Sequence, residues 1–429
     1  MQEIKSLLNF LDSSPVNFWA VETLRKLLES KGYIHLDTAD HWEIKTGGKY
    51  FITHNGSALL AVHTGDNPSA GFKIISAHSD SPGFRIKPHP AMRTAGNIIK
   101  LNTEVYGGPI LYTWFDRPLS IAGRVISRGQ NPLHPRTTLM RVDAPILTIP
   151  HLAIHFNRAV NEGNPLSRQK DMLPVLGHIS ENLEADNIIS DLIKEHTGID
   201  KKDLLDFDLS LYDTSKAGTV GLDGQYISSG RLDDLSMVHA AVCALTEATP
   251  SDKSMSCVMA IFDNEETGSG TKQGAASPIL HHFMQRIVNG LGGNSEDYLR
   301  SVARSFMISA DNAHGIHPNY PEKQDPTNHP VLGGGPVIKI NANCKYMTDA
   351  DSAAVYRTVC EEAGVPVQTF VNHSDTAGGS TLGNILTSQI PLRGVDMGAP
   401  LWAMHSVRET AAAIDHIYTI KSFKTFYNL

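Results

Sequence analysis

Cysteine is scarce. Cys243, Cys257, Cys344 and Cys360 are spread through 429 positions, too few and too scattered for a disulfide framework or a paired-cysteine zinc site. Long apolar runs are missing as well: no stretch approaches the roughly 18 uninterrupted apolar residues of a spanning helix. Basic charge is in deficit, with 37 Lys and Arg against 45 Asp and Glu and a formal net charge of −8. That excludes the basic footprint of a nucleic-acid binder and gives no attraction to an anionic membrane, so neither is expected as a partner. The opening MQEIKSLLNFLDSSP has no basic leader followed by an apolar run. No signal peptide is read from it, and the chain reads as cytoplasmic.

What is present is a globular balance, 41% hydrophobic and 19% charged, in a chain long enough for two or three domains at about 150 residues each. Histidine is plentiful, with 20 residues, which turns attention to metal or acid–base chemistry.

Along the chain the hydrophobic period changes twice. LLNFLDSS and WAVETLRKLLESKG repeat apolar positions at helical spacing, and Gly32 closes the second. KYFITHNGSALLAVHT reads as a hairpin turning at Asn55-Gly56, and GFKIISAHSDSPG as a buried strand with a polar exit. From about 90 to 222, short β-like pieces (NIIKLNTEVYGG, LYTWFDRPLSIAGRVIS, APILTIPHLAIHF) and an acidic helical stretch around 180–200 suggest an inserted β-rich domain. After 228, strands (MSCVMAIFD, FMISAD, GPVIKIN, VPVQTFV, IPLRGVD) alternate with helices. The predicted class is α/β, with a mostly parallel sheet covered on both faces. The predicted division is 1–90 with 223–429, interrupted by 91–222.

Metal-favouring polar residues recur where predicted strands end, the edge at which open α/β sheets place their sites. In IISAHSDSP, His78 closes an apolar run and Asp80 follows two residues later, placed to orient the imidazole. Taken alone, this is more often an ordinary strand exit. Asp233 and Asp234 open a helix in SSGRLDDLSMV, where helix capping competes with a carboxylate bridging two cations. CVMAIFDNEETGSG carries a strand directly into Glu265 and Glu266. One could ligate a cation while its neighbour takes a proton from water, and the competing reading is a solvated acidic turn. Asp311 closes FMISAD, with His314 and His317 close behind. His405 lies among apolar residues in LWAMHSVRET, where a lone histidine is more often a satisfied core residue. Together these give mixed His and carboxylate donors suited to zinc or manganese rather than calcium, and point to a metal-dependent hydrolase.

ISAHSDSP, SGRLDDL, DNEETGS, SADNAHGIHPNY, GPVIKIN and AMHSVRE, in this order, closely resemble the aspartyl aminopeptidase family, the M18 metallopeptidases. The resemblance extends over essentially the whole chain. It implies an α/β metallopeptidase domain interrupted by a β-rich dimerisation domain, and two zinc ions per subunit, with Mn²⁺ or Co²⁺ able to replace one. It implies that His78 and Asp311 hold one ion, Glu266 and His405 the other, and that Asp233 bridges them. Glu265 is then the general base and Asp80 the residue orienting His78. His155, in PHLAIHFNR, is implied to serve an active site across a subunit interface by donating to the oxyanion. Lys339, in GPVIKIN, is implied to receive an acidic side chain, although its alternation with apolar neighbours otherwise reads as an exposed edge-strand lysine. His317 is implied to line the substrate pocket. NHSDTAGGSTLGN departs from the family pattern at Ala377-Gly378, where many relatives have Gly-Cys or Pro-Cys.

The implied activity is hydrolysis of N-terminal Asp, and less readily Glu, from peptides by metal-bound water. The implied assembly is a homo-oligomer, a dodecamer built from dimers. The rival readings are a broader-specificity metalloaminopeptidase and a non-catalytic scaffold relative, and retention of Glu265 and all five ligands argues against the scaffold.

Overall fold

The apolar runs Phe72–His78, Ser256–Phe262, Phe306–Ala310 and Arg393–Gly398 form adjacent parallel strands at the middle of a nine-stranded sheet. The computed structural model of the protein describes residues 2–178 and 187–429. Side chains along these strands alternate between two apolar layers, as a pleated backbone requires. Ile75, Ala77, Met259 and Ile261 join the core under the helices Gln2–Ser13, Asn17–Ser30, Leu232–Glu247 and Ala413–Asn428. Ile74, Val258, Ala260 and Phe262 join the core under Ile279–Gly290 and Ser295–Arg304. The fold is α/β, with a mostly parallel principal sheet and separate smaller sheets. The hairpin Lys49–His54 to Ala58–His63 turns at Asn55 (φ 55°) and Gly56 (φ 70°), the left-handed pair its Asn-Gly signature calls for.

The chain divides into two units: Met1–Asp80, Ala217–Met404 and Glu409–Leu429 in one, Ser81–Lys216 and His405–Arg408 in the other. The second unit contains a six-stranded antiparallel sheet in the order His134–Arg141, Leu119–Asn131, Leu204–Asp213, Gly83–Thr94, Ile98–Tyr106, Val175–His178. Its core includes Phe84, Trp114, Ile121 and Leu209. Gly83–Thr94 pairs along its length with Ile98–Tyr106, which brings the edge of this unit to residue 81 rather than 91. The expected acidic helix is observed over Ile188–Thr197; residues 179–186 of that stretch lie outside the described residues.

APILTIPHLAIHF does not form a strand. It makes isolated bridges at Leu147, Thr148 and Ile149 and then turns. Pro150, lacking an amide proton, interrupts any ladder there. Among the described residues, no helix is long and apolar enough to cross a membrane.

Candidate metal centre

The register of the central strands brings their polar exits to one edge. Phe262 stands beside His78, and Ser309 beside Ser76, so Asp263 and Asp311 emerge near His78. His78 is 1% exposed. Its Nδ1 lies 3.1 Å from the Asp80 carbonyl oxygen and 3.3 Å from Asp80 Oδ1. Both are acceptors, so Nδ1 carries a proton and Nε2 faces Asp233 Oδ1 at 3.5 Å. Two acceptors at that distance need a positive charge between them. Burial lowers the imidazole's pKa, yet Asp234, Asp233 and Asp80 outweigh it and hold His78 well above its usual value. A metal cation meets the same demand.

Asp80 does more than orient the imidazole. Its Oδ1 accepts from the amide of Glu265 (3.1 Å) and its Oδ2 from that of Glu266 (3.2 Å). Those glutamates occupy a short 3₁₀ turn after Asn264, which adopts φ 60°. The Asn264 side chain accepts from Thr271 and Gln273, both at 2.8 Å, and so pins the turn. Behind it, Asn17 donates to both oxygens of Asp263 at 3.0 and 3.1 Å. Burial, reinforced by the Asp80 charge, pushes Asp263 up to about 6.

Asp233 and Asp234 follow Arg231, which adopts φ 61°, and are joined by a cis peptide bond. Both are buried. Asp234 Oδ2 accepts from the His78 amide at 3.1 Å, so this carboxylate is turned to the sheet rather than to the helix amides a cap would satisfy. Asp234 Oδ1 has no hydrogen-bond partner among the described residues. The Asp233 amide donates to the buried Glu409 Oε2 at 3.1 Å. Asp311 donates its own amide to the Met397 carbonyl (2.9 Å) and carries an ion pair from Oδ2 to Lys339 Nζ at 3.2 Å. Gly398 lies against this turn; a Cβ there would run into the Asp311 carbonyl oxygen, so the close approach requires glycine.

Ligand atoms of His78, Asp233, Asp234 and Asp311 lie within 4.8 Å of one another, as do those of His78, Glu265 and Glu266. Burial pushes Asp234 well above the usual carboxylate range. Burial, aided by Asp311, Glu266 and Asp233 and opposed by His78, pushes Glu265 up to about 8. So many carboxylates in one interior site are costly unless a cation compensates them. An imidazole nitrogen with several carboxylate oxygens fits zinc better than an all-oxygen calcium site. The residues present therefore fit a metal.

Lys339 is 4% exposed, because its strand Val337–Ile340 has neighbours on both sides, Arg393–Gly398 and Gln368–Val371. The exposed edge-strand reading is thus overturned. His405 belongs to the second unit, adopts φ 68° and is half-buried; its Nδ1 lies 3.1 Å from the Gly108 carbonyl oxygen, an acceptor that assigns the ring proton to this nitrogen. The core-histidine alternative does not describe it. His155 sits in an exposed turn between the exposed Leu152, Ile154 and Phe156. His317 is exposed, accepts from the Asn319 amide at 3.2 Å and stands against Tyr320. Asp234, weighed beside Asp233 in the sequence, takes its place in the same cluster. Glu409 escaped the sequence reading, because its contact joins positions 176 apart.

A mostly parallel sheet that gathers an imidazole and carboxylates at one edge defines a metal-dependent hydrolase. Residues 10–427 match the family model described as aminopeptidase I zinc metalloprotease (M18). The probable M18 family aminopeptidase 2 of Clostridium novyi is 49% identical over 425 residues, covering 99% of this chain and 98% of that protein. Its counterpart in Pseudomonas aeruginosa is 41% identical over 428 residues, covering 99% and 97%. Among solved structures, a chain of the Ape4 and Nbr1 complex superposes with a TM-score of 0.94 at 34% identity, covering 99% of this chain and 85% of that one. The S. cerevisiae mApe1 dodecamer chain, 24% identical with a TM-score of 0.85 and coverage of 99% and 95%, shares the fold. The chain belongs to the M18 family and is a metal-dependent aminopeptidase.

Proposed function

We propose that this aminopeptidase removes N-terminal Asp, and less readily Glu, from peptides. The observation carrying this reading is Lys339, a buried ammonium whose ion-pair partner Asp311 is itself part of the carboxylate cluster. A neutral side chain beside it would satisfy none of its remaining donors, and such mismatches discriminate strongly between substrates.

In this reading His78 and Asp311 hold one zinc ion, Glu266 and His405 a second, and Asp233 bridges them, with Mn²⁺ or Co²⁺ able to replace one. Bound ions supply polarisation of the scissile carbonyl and acidification of a water. Glu265 accepts the proton of the attacking water and returns it to the leaving amine, a task suited to a carboxyl pushed up to about 8 by burial. Asp80 orients His78 and, through two amides, fixes Glu265 and Glu266. His155 donates to the oxyanion, and His317 lines the substrate pocket.

The expected catalytic domain (1–90 with 223–429) and dimerisation domain (91–222) correspond in this reading to the first and second units, with the edges moved to those of the units. Exposed Leu152, Ile154 and Phe156 around His155 favour a second copy of the chain as partner, because a monomer gains nothing from exposing such a patch. A dodecamer built from dimers and a cytoplasmic location complete the reading; the S. cerevisiae mApe1 neighbour is itself a dodecamer. The test is a panel of Asp, Glu, Leu, Ala and Lys aminoacyl substrates, with a chelator and then with zinc or manganese re-added. Asp preference that disappears on chelation and returns with metal supports the proposal. Equal turnover of Leu or Ala overturns the acidic specificity, and no turnover under any metal condition favours a scaffold.

A further inference from the structure

Lys339 has a single ion-pair partner among the described residues, Asp311, at 3.2 Å from Oδ2. The ammonium lies 5.8 Å from the centre of the Tyr346 ring, and its strand is held between two others, so it cannot turn to solvent. An ammonium has three donors, and one carboxylate leaves capacity for another. Asp311, for its part, places a ligand atom within 4.8 Å of those of His78, Asp233 and Asp234. One carboxylate therefore stands between two positive demands: a fixed ammonium on one side, and on the other the cation its cluster is suited to hold.

We infer that Lys339 and the metal are rivals for Asp311, and that metal engagement of Asp311 passes the ammonium to the acidic side chain of the substrate. The inference rests on the function proposed above. It adds that metal occupancy and recognition of an acidic residue are coupled. A divalent ion draws the carboxylate's charge toward itself, and two cations sharing one carboxylate repel each other in a medium that screens poorly. An incoming carboxylate supplies the counter-charge that Asp311 then shares. Coupling is reciprocal, so an acidic ligand on Lys339 tightens metal binding, while a neutral one of the same shape does not. Without such a ligand, Lys339 weakens metal binding.

The experiment measures zinc affinity on full-length, zinc-stripped protein by competition with a chromogenic chelator, for wild type, Lys339→Met and Lys339→Arg. The readings are taken alone, with L-aspartate, and with L-asparagine, whose α-amine and α-carboxylate control for direct chelation. Lys339→Met is expected to bind zinc roughly 10-fold tighter than wild type, and Lys339→Arg like wild type. L-Aspartate is expected to tighten wild-type binding several-fold more than L-asparagine, a difference absent from Lys339→Met. Equal or weaker zinc binding by folded Lys339→Met overturns the inference. Should that variant not fold, equal effects of the two amino acids on wild type overturn it instead. A wild type that binds no zinc removes the proposed function itself, whereas a zinc-binding, Asp-selective wild type with no aspartate effect removes only the coupling.

Discussion

The backbone amide of Glu265 donates to Oδ1 of Asp80 across 3.1 Å, and that same oxygen lies 3.3 Å from Nδ1 of His78. One carboxylate thus fixes the imidazole proposed as a metal ligand and the turn carrying the proposed base. Asp80→Asn keeps the shape but turns an NH₂ toward an amide that can only donate. Zinc affinity is expected to fall about 10- to 100-fold, the usual cost of losing a partner behind a ligating histidine. Chelator competition and kcat, measured on the same preparation, check this.

Glu265→Gln removes proton transfer while leaving a side chain of the same size. The expected outcome is a fall of roughly 10²- to 10⁴-fold in kcat, with zinc affinity nearly unchanged. Steady-state kinetics and metal analysis, run together, separate this from a loss of metal.

Metal removal carries its own signature. Chelation is expected to abolish turnover and lower Tm, and zinc re-addition to restore both, because an ion that binds the folded chain stabilises it by mass action. Elemental analysis of wild type is expected to give two ions per subunit, and of Asp233→Asn fewer. One ion in wild type would remove the bridging role of Asp233.

Gly398→Ala is expected to disturb the site without touching a ligand, because the added methyl meets the Asp311 carbonyl oxygen. Steric conflict with backbone costs about 1–3 kcal/mol, and part of it should appear as weaker zinc binding. Urea denaturation and chelator competition test the two effects separately.

Acid sensitivity should arise away from the centre. His239 Nδ1 and His416 Nε2 lie 2.9 Å apart in the interior. Burial pushes His239 down to about 4, and burial with its partner's charge carries His416 well below its usual value. A depressed histidine contributes stability above pH 6.5 that is lost as pH falls toward 4, by about 2 kcal/mol for His239 between pH 8 and 5. Asp415 works the other way: burial raises it to about 6, so its contribution is lost as pH rises through 6. A His239→Gln variant keeps Asp415 unchanged. Its stability is expected to vary less with pH than wild type by about that amount, as measured by urea denaturation at pH 8 and 5.

The sequence made the central strands legible because their apolar runs end sharply in polar residues, as at His78 and Asp311. The Asn55-Gly56 hairpin was legible because two left-handed residues leave little choice of side chain. Lys339 was ambiguous for a physical reason: alternation with apolar neighbours marks the pleat, not whether strands flank it on both sides. The clasp of Asp80 on two amides was invisible, since a carboxylate's choice of backbone partners depends on which loops meet. Glu409 was hidden for the same reason. In 144–156, β-favouring residues suggested a strand, but Pro150 and an outer half outside any ladder left a turn.

The shared register of Phe72–His78, Ser256–Phe262 and Phe306–Ala310 acts as a ruler for the chemistry at their ends. Side chains alternate faces with every residue, so shortening Phe306–Ala310 by one would place Asp311 where Ala310 now points, on the opposite face. Length within these strands, and in the short turns that carry Asp80, Glu265 and Glu266 from their ends, is therefore under a far tighter constraint than composition.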